Sequence, residues 1–246
     1  MPADDPGVPA GSTPGEGDLA RLAARALELV RDGDIVGLGS GRAATAFLRA
    51  LAERVGEGLR VRGGLRVRGV PTSEATAALA REVGIPLIDL DRTPLELTVD
   101  GADEVDPRLD LIKGYGGAMV RERIVAAASR RQVILVMAEK LVPVLGTRGR
   151  LPIEIVPFAL PLCRRRLEAL GCPPAVRQAD GRPVRSDNGN LLLDCAIRPL
   201  ADPAALEREL RAIPGVVDTG LFLGTAGIVF VADGRAVRIL DRQGRR

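Results

Sequence analysis

At 246 residues, 46% apolar and 27% charged, the chain can bury a sizeable core as one large domain or two smaller ones. Its longest clean apolar run, 133–138, is far too short to span a bilayer, and the absence of histidine excludes Ser-His-Asp and Cys-His catalysis and any His-ligated metal. A net charge of +3 on dispersed arginines, with one Tyr, four Phe and no Trp, argues against nucleic-acid binding.

Residues 1–17, acidic and rich in Pro and Gly, read as a disordered tail with neither the basic nor the apolar region of a signal peptide. Leu19, Leu22, Ala23, Ala26, Leu27 and Val30 share one face, which predicts a helix over 19–31. A short buried strand, 35–38, runs into Gly39-Ser40-Gly41-Arg42 and a helix over about 43–54. Strand, glycine turn and helix make the layout of a phosphate-binding unit, because N–H groups at a helix start attract anions. The spelling GLGSGRAA lacks the third glycine of GxGxxG and the Walker lysine, and a tight turn needing glycine accounts for it about as well. A strand over 65–70 leads to Thr72 and Ser73, either of which could cap a helix over 74–82 or present a hydroxyl to a sugar.

Further strands are expected at 85–89 and 95–99. Then come Asp100-Gly101-Ala102-Asp103, Lys113 with its loop Gly114-Tyr115-Gly116-Gly117, and a helix over 118–129 that carries Glu122 early. A strand over 132–137 ends at Ala138-Glu139-Lys140. The segment from 151 to 223 reads β-α-β-β-α-β, a ferredoxin-like order, and a hairpin over 228–239 returns to the first domain. The expected fold is α/β: a Rossmann-like, mostly parallel sheet with helices on both faces, plus a smaller ferredoxin-like α+β domain. The expected division is 18–147 with 221–246, and 148–220.

In such sheets ligands bind beyond the carboxyl ends of the strands, where Ser40, Thr72, Asp100, Asp103 and Lys140 all fall. Without histidine, acid–base work rests on Asp, Glu, Lys, Cys or Tyr115. Of 35 cationic residues only Lys113 and Lys140 are lysine, the cation whose pKa can be tuned. The set suits proton abstraction beside a carbonyl, with cations or N–H donors holding the enediolate oxygen. Each part also has a plain structural reading: Asp100 to Asp103 as a turn, and Glu122 between Arg121 and Arg123 as a solvated ion pair. Cys163, Cys172 and Cys195 show no CxxC spacing, which fits a reducing cytoplasm.

Taken in order, GLGSGRAATAFL, PTSEAT, VDGADEVD, IKGYGGAMVRERIVA, AEK, LPIEIVPFA, SDNGNLLLD and IPGVVDTGLF resemble ribose-5-phosphate isomerase, type A, over roughly residues 18–240. The resemblance implies interconversion of D-ribose 5-phosphate and D-ribulose 5-phosphate through an enediolate. It implies no metal or nucleotide cofactor, a place in the non-oxidative pentose phosphate branch, and a homodimer or homotetramer in the cytoplasm. It matches Glu122 to the general base, Asp100 to an acid in ring opening, and Lys113 to the lysine near the oxyanion. Asp103 would bind sugar hydroxyls with Gly101, Ala102, Gly114, Tyr115 and Gly116 around it. Lys140 would meet the far end of the substrate, and Ser40, Gly41, Arg42 and Ala43 its phosphate. Arg42 and Ala43 replace hydroxylated residues of the family's loop, where Arg42 could grip phosphate bidentately or point away, and Tyr115 replaces a glycine and could narrow the pocket. A non-catalytic sugar-phosphate sensor and an isomerase of another phosphosugar are the alternatives.

Overall fold

The computed structural model describes residues 15–60 and 65–242, so most of the expected tail, 1–14, lies outside the described residues, as do 243–246. Helix α1, Glu16–Leu27, opens inside the stretch read as a tail. It ends before Arg31 because Leu29 and Val30 donate to carbonyls three residues back, which tightens the last turn. The chain continues through β1 (Ile35–Leu38), α2 (Gly41–Arg60), β2 (Arg68–Pro71), α3 (Glu74–Glu82) and β3 (Leu97–Asp100). Two short strands follow, β4 (Glu104–Val105) and β5 (Leu111–Ile112), then α4 (Met119–Ala127) and β6 (Gln132–Met137). The expected strand at 85–89 reduces to a single bridge between Leu87 and Gly69. Pro86, which has no N–H to give a ladder, limits it.

The next stretch contains β7 (Arg150–Ile155), α5 (Leu160–Ala169), β8 (Pro174–Val176), the hairpin β9 (Gln178–Ala179) and β10 (Arg182–Pro183), β11 (Leu191–Ala196), α6 (Pro203–Arg211) and β12 (Val216–Thr219). Strands β13 (Leu221–Phe222), β14 (Ala226–Ala232) and β15 (Val237–Asp241) complete the chain. The single strand expected over 216–223 is two strands in two sheets. Gly220 divides them: its N–H donates to Pro152 and its carbonyl accepts from Lys113, and a Cβ there would strike the Lys113 backbone.

The main sheet has the order β15-β14-β6-β3-β1-β2, parallel except for β15. Its strands alternate between two cores. Val36, Leu38, Val133 and Leu135 face α1 and α2 with Phe47 and Leu51, while Ile134 and Val136 face the opposite core with Phe222 and Met119. The four-stranded sheet, β12-β7-β11-β8, is antiparallel and packs α5 and α6 over Ile153, Cys163, Leu193 and Leu210, the ferredoxin-like arrangement. All three cysteines are free, buried thiols. A small third sheet, β13-β5-β4, lies between the two and was not legible in the spacing. Among the described residues no helix is long and apolar enough to cross a membrane.

Candidate active site

The carboxyl ends of β1, β3 and β6 open on a cavity of about 510 Å³. Three buried charged side chains gather there, Lys113 and Glu122 lining the cavity and Asp100 beneath them. Lys113, just past β5, has three N–H donors and three close acceptors: the Gly101 carbonyl at 2.6 Å, Asp100 at 2.9 Å and Glu122 Oε2 at 3.2 Å. The last contact lies outside hydrogen-bond angles, so Glu122 Oε2 is buried with an ionic neighbour and no hydrogen bond. All three residues are at most 6% exposed.

Local sequence explains each placement. Asp100 ends β3, and its Oδ1 accepts N–H bonds from Ser40 at 3.0 Å and Gly101 at 2.8 Å. That tie requires Gly39, where a Cβ would collide with the Asp100 carboxylate and the Val99 carbonyl. Glu122 lies in the first turn of α4, brought round by the glycine turn 114–117, where Gly117 N–H donates to the Gly114 carbonyl. The Phe222 ring centroid lies 5.7 Å from Lys113 Nζ.

The charges shift one another. Burial pushes the Glu122 carboxyl up to about 8, Asp100 adds to the rise, and Lys113 opposes it. Burial works against the Lys113 ammonium, but Asp100 and Glu122 outweigh it and raise its pKa. Burial likewise raises Asp103, against the pull of the Tyr115 N–H and of Lys113 and Lys140.

Of the residues singled out in the sequence, Ser40, Gly41, Arg42, Ala43, Gly101, Ala102, Asp103, Lys113, Gly114, Gly116, Glu122 and Lys140 all line the cavity. Gly41 takes φ +85°, the left-handed turn that glycine permits, as it starts α2. Arg42 is exposed and forms no ion pair with a described residue. Asp100 is not in the lining; it sits beneath, with both oxygens engaged.

Tyr115 does not narrow the pocket. Its ring packs against the ferredoxin-like core under the Arg150 guanidinium at 4.5 Å, and its hydroxyl donates to the Arg150 carbonyl at 3.3 Å. An apolar ring with a polar tip finds cover and an acceptor there that the cavity does not offer. Only its N–H serves the site, donating to Asp103 at 2.9 Å.

Ser73 caps α3, accepting the Thr76 N–H at 3.0 Å, and Thr72, Ser73 and Thr76 lie behind the Ser40 hydroxyl rather than in the cavity. The sequence reading missed Gly15, Leu19 and Glu139, which also line it. Gly15 fell in the presumed tail, and Leu19 was read as core through its helical spacing alone.

The arrangement offers a buried carboxylate whose pKa burial raises, an ammonium against it, and a helix start whose arginine lines the same cavity. Those are the needs of proton transfer between neighbouring carbons of a small phosphorylated substrate.

Residues 68–235 match the family model for ribose 5-phosphate isomerase A (phosphoriboisomerase A). A ribose-5-phosphate isomerase A from Roseiflexus sp. (strain RS-1) is 55% identical over 86% of this chain and 90% of its own length. One from Thermomicrobium roseum is 51% identical, over 90% and 92% respectively. The structure of ribose 5-phosphate isomerase A from Methanocaldococcus jannaschii superposes with a TM-score of 0.86 at 37% identity, covering 92% of this chain and 99% of that one. A D-ribose-5-phosphate isomerase structure in complex with phospho-erythronic acid gives 0.87 at 35% identity with the same coverage.

Proposed function

We propose a mechanism for this chain, which belongs to the ribose 5-phosphate isomerase A family and is an aldose–ketose isomerase of the pentose phosphate route: Glu122 carries the proton between the two reacting carbons of ribose 5-phosphate. As a carboxylate it takes the proton from C2 of the open-chain aldose, and the electron pair moves through C1 to the carbonyl oxygen. A proton then passes from the C2 hydroxyl to the oxygen on C1, and as the C2 carbonyl forms the enediolate takes the proton back from Glu122 at C1, giving the ketose and regenerating the carboxylate.

The observation that carries this reading is the burial of Glu122 on the cavity wall, 3.2 Å from Lys113 and without a hydrogen bond of its own. Burial keeps the carboxylate basic. Lys113 has a second part to play. Its ammonium lies 3.2 Å from Glu122 as an ion pair rather than a hydrogen bond. Once Glu122 gains the substrate proton, that positive charge is no longer offset by Glu122 and acts on the oxyanion at the moment its charge forms. Asp103, lining the cavity with a raised pKa, suits the sugar hydroxyls. Asp100 acts from beneath by holding Lys113, with its acid role in ring opening passing through that ion pair.

Ser40, Gly41, Arg42 and Ala43 would take the phosphate, Arg42 supplying the charge-assisted contacts that hydroxyls supply elsewhere. Lys140 lines the same cavity. The reading needs no cofactor, so treatment with EDTA should leave turnover unchanged; loss restored by a divalent cation would sink that part. It also places the enzyme in the cytoplasm as a homodimer or homotetramer.

Glu122→Gln keeps the shape and removes the base. Turnover of ribose 5-phosphate should fall by about 10²- to 10⁴-fold with the circular dichroism spectrum unchanged. A variant near the wild-type rate would overturn the assignment.

A further inference from the structure

Glu122 stands between two arginines, and both reach away from the main sheet to grip the ferredoxin-like module and its approaches. Arg123 donates to Asp218 at 2.5 Å and to the Thr219 and Leu221 carbonyls, and stacks on Phe222 at 4.0 Å. Arg121 makes a different bridge. Its Nε donates to Asn188 at 3.1 Å, one Nη to Glu74 at 2.8 Å, and the other to the Asp187 carbonyl at 3.1 Å. Asp187 accepts the Glu74 N–H at 2.8 Å, so a residue between β10 and β11 caps α3 from outside. One guanidinium thereby ties three separate segments together: the first turn of α4, the start of α3 and the turn 186–189.

Helix α4 needs such a tie. It is nine residues long, and its N-cap, Ala118, provides no side-chain cap bond. The turn that carries the Glu122 carboxylate is therefore held from outside the helix. None of Arg121, Glu74, Asp187 and Asn188 lines the substrate cavity. The Arg121 and Glu74 side chains are 32% and 67% exposed, so this ion pair contributes little to global stability.

We propose that Arg121 is a positioning residue for the proton transfer: by pinning the first turn of α4 to α3 and to the 186–189 turn, it sets the Glu122 carboxylate against Lys113 and keeps water from it. This rests on the reading of Glu122 as the base. The charged groups facing Glu122 are Lys113, from the end of β5, and Asp100 and Asp103, from the end of β3 and its loop. In an Arg121 variant, water reaching the carboxylate would lower its titration and a looser contact with Lys113 would raise it, so a titration displaced from the wild-type position reports a base that has moved.

The test is steady-state kinetics over pH on Arg121→Ala and Asn188→Ala, alone and combined, beside Glu122→Gln. In Arg121→Ala, kcat should fall about 10- to 100-fold while KM stays close to wild type, as for a base displaced by a fraction of an ångström. The acidic limb of the rate profile should move from its wild-type position. Guanidinium ion in the assay should restore part of the rate, and the double variant should be no worse than Arg121→Ala alone. If Arg121→Ala keeps the wild-type kcat and acidic limb while Glu122→Gln is inactive, the positioning role fails and the base stands. A loss confined to KM overturns it equally, as do losses that multiply in the double variant. If Glu122→Gln itself turns over normally, the base reading falls and takes this one with it.

Discussion

Lys113 is the residue through which the site's electrostatics pass. Its ammonium balances two buried carboxylates and is 3% exposed itself. Lys113→Met leaves Asp100 and Glu122 facing each other with no cation, which should destabilise the fold by about 3–5 kcal/mol in urea unfolding. Adding Glu122→Gln should recover part of that loss by removing one of the two charges. The pH dependence has a definite sign. Activity needs ionised Glu122, so kcat/KM should climb with pH through the region near 8. Stability should move the other way. The folded carboxyl holds its proton above the ordinary value of 4.5, so its contribution is full below that pH and is lost as pH rises through about 8. Differential scanning calorimetry across that range reads it directly, and a flat profile would count against a buried, proton-holding Glu122. At this scale the residue types were legible: absent histidine left carboxylates, and rare lysine marked Lys113. Orientation was not, because a sequence shows neither that Asp100 points beneath the cavity nor that the Tyr115 ring finds better cover elsewhere.

Elements with a strong local code were readable. Strand β1, helix α3 and strand β6 keep the expected bounds because a continuous apolar run or a capping hydroxyl defines them within a few residues. Strands β4, β5 and β13 are two residues each, too short for any alternation to register, and β13 pairs with β5 across more than 100 positions. The turn 186–190 is another element made by distant partners. Glu154, fully buried on β7, accepts from Ser186 at 2.8 Å, Asn188 at 3.1 Å and Asn190 at 2.8 Å through one oxygen. Glu154→Ala leaves those donors without their acceptor. Amide hydrogen exchange over 185–190 should quicken markedly, and stability should drop by about 1–3 kcal/mol. Unchanged exchange there would mean that the turn holds itself.

For the whole molecule, the pattern of strands alternating with helices was enough to anticipate a parallel sheet and a ferredoxin-like unit, since both follow from periodicity and order. Relative placement was not, because it depends on side chains such as Arg121 and Arg123 that look like ordinary solvated charges. Among the described residues, Phe158 is 95% exposed, with Val156 and Val217 also open beside the edge strand β12. If the chain self-associates through that face, Phe158→Ser should lower the mass seen by light scattering without altering the circular dichroism spectrum. The crossing at Gly220 has a further consequence, for the order in which the enzyme comes into being. Every residue assigned to chemistry or substrate has been synthesised once Lys140 has been added. Yet Lys113 donates its N–H to the Gly220 carbonyl, Arg123 holds Leu221, and β6 gains its second neighbour only from β14. A nascent chain therefore carries its full set of reactive side chains through the synthesis of some 80 more residues before it can hold them in place, and activity should appear abruptly, late in translation.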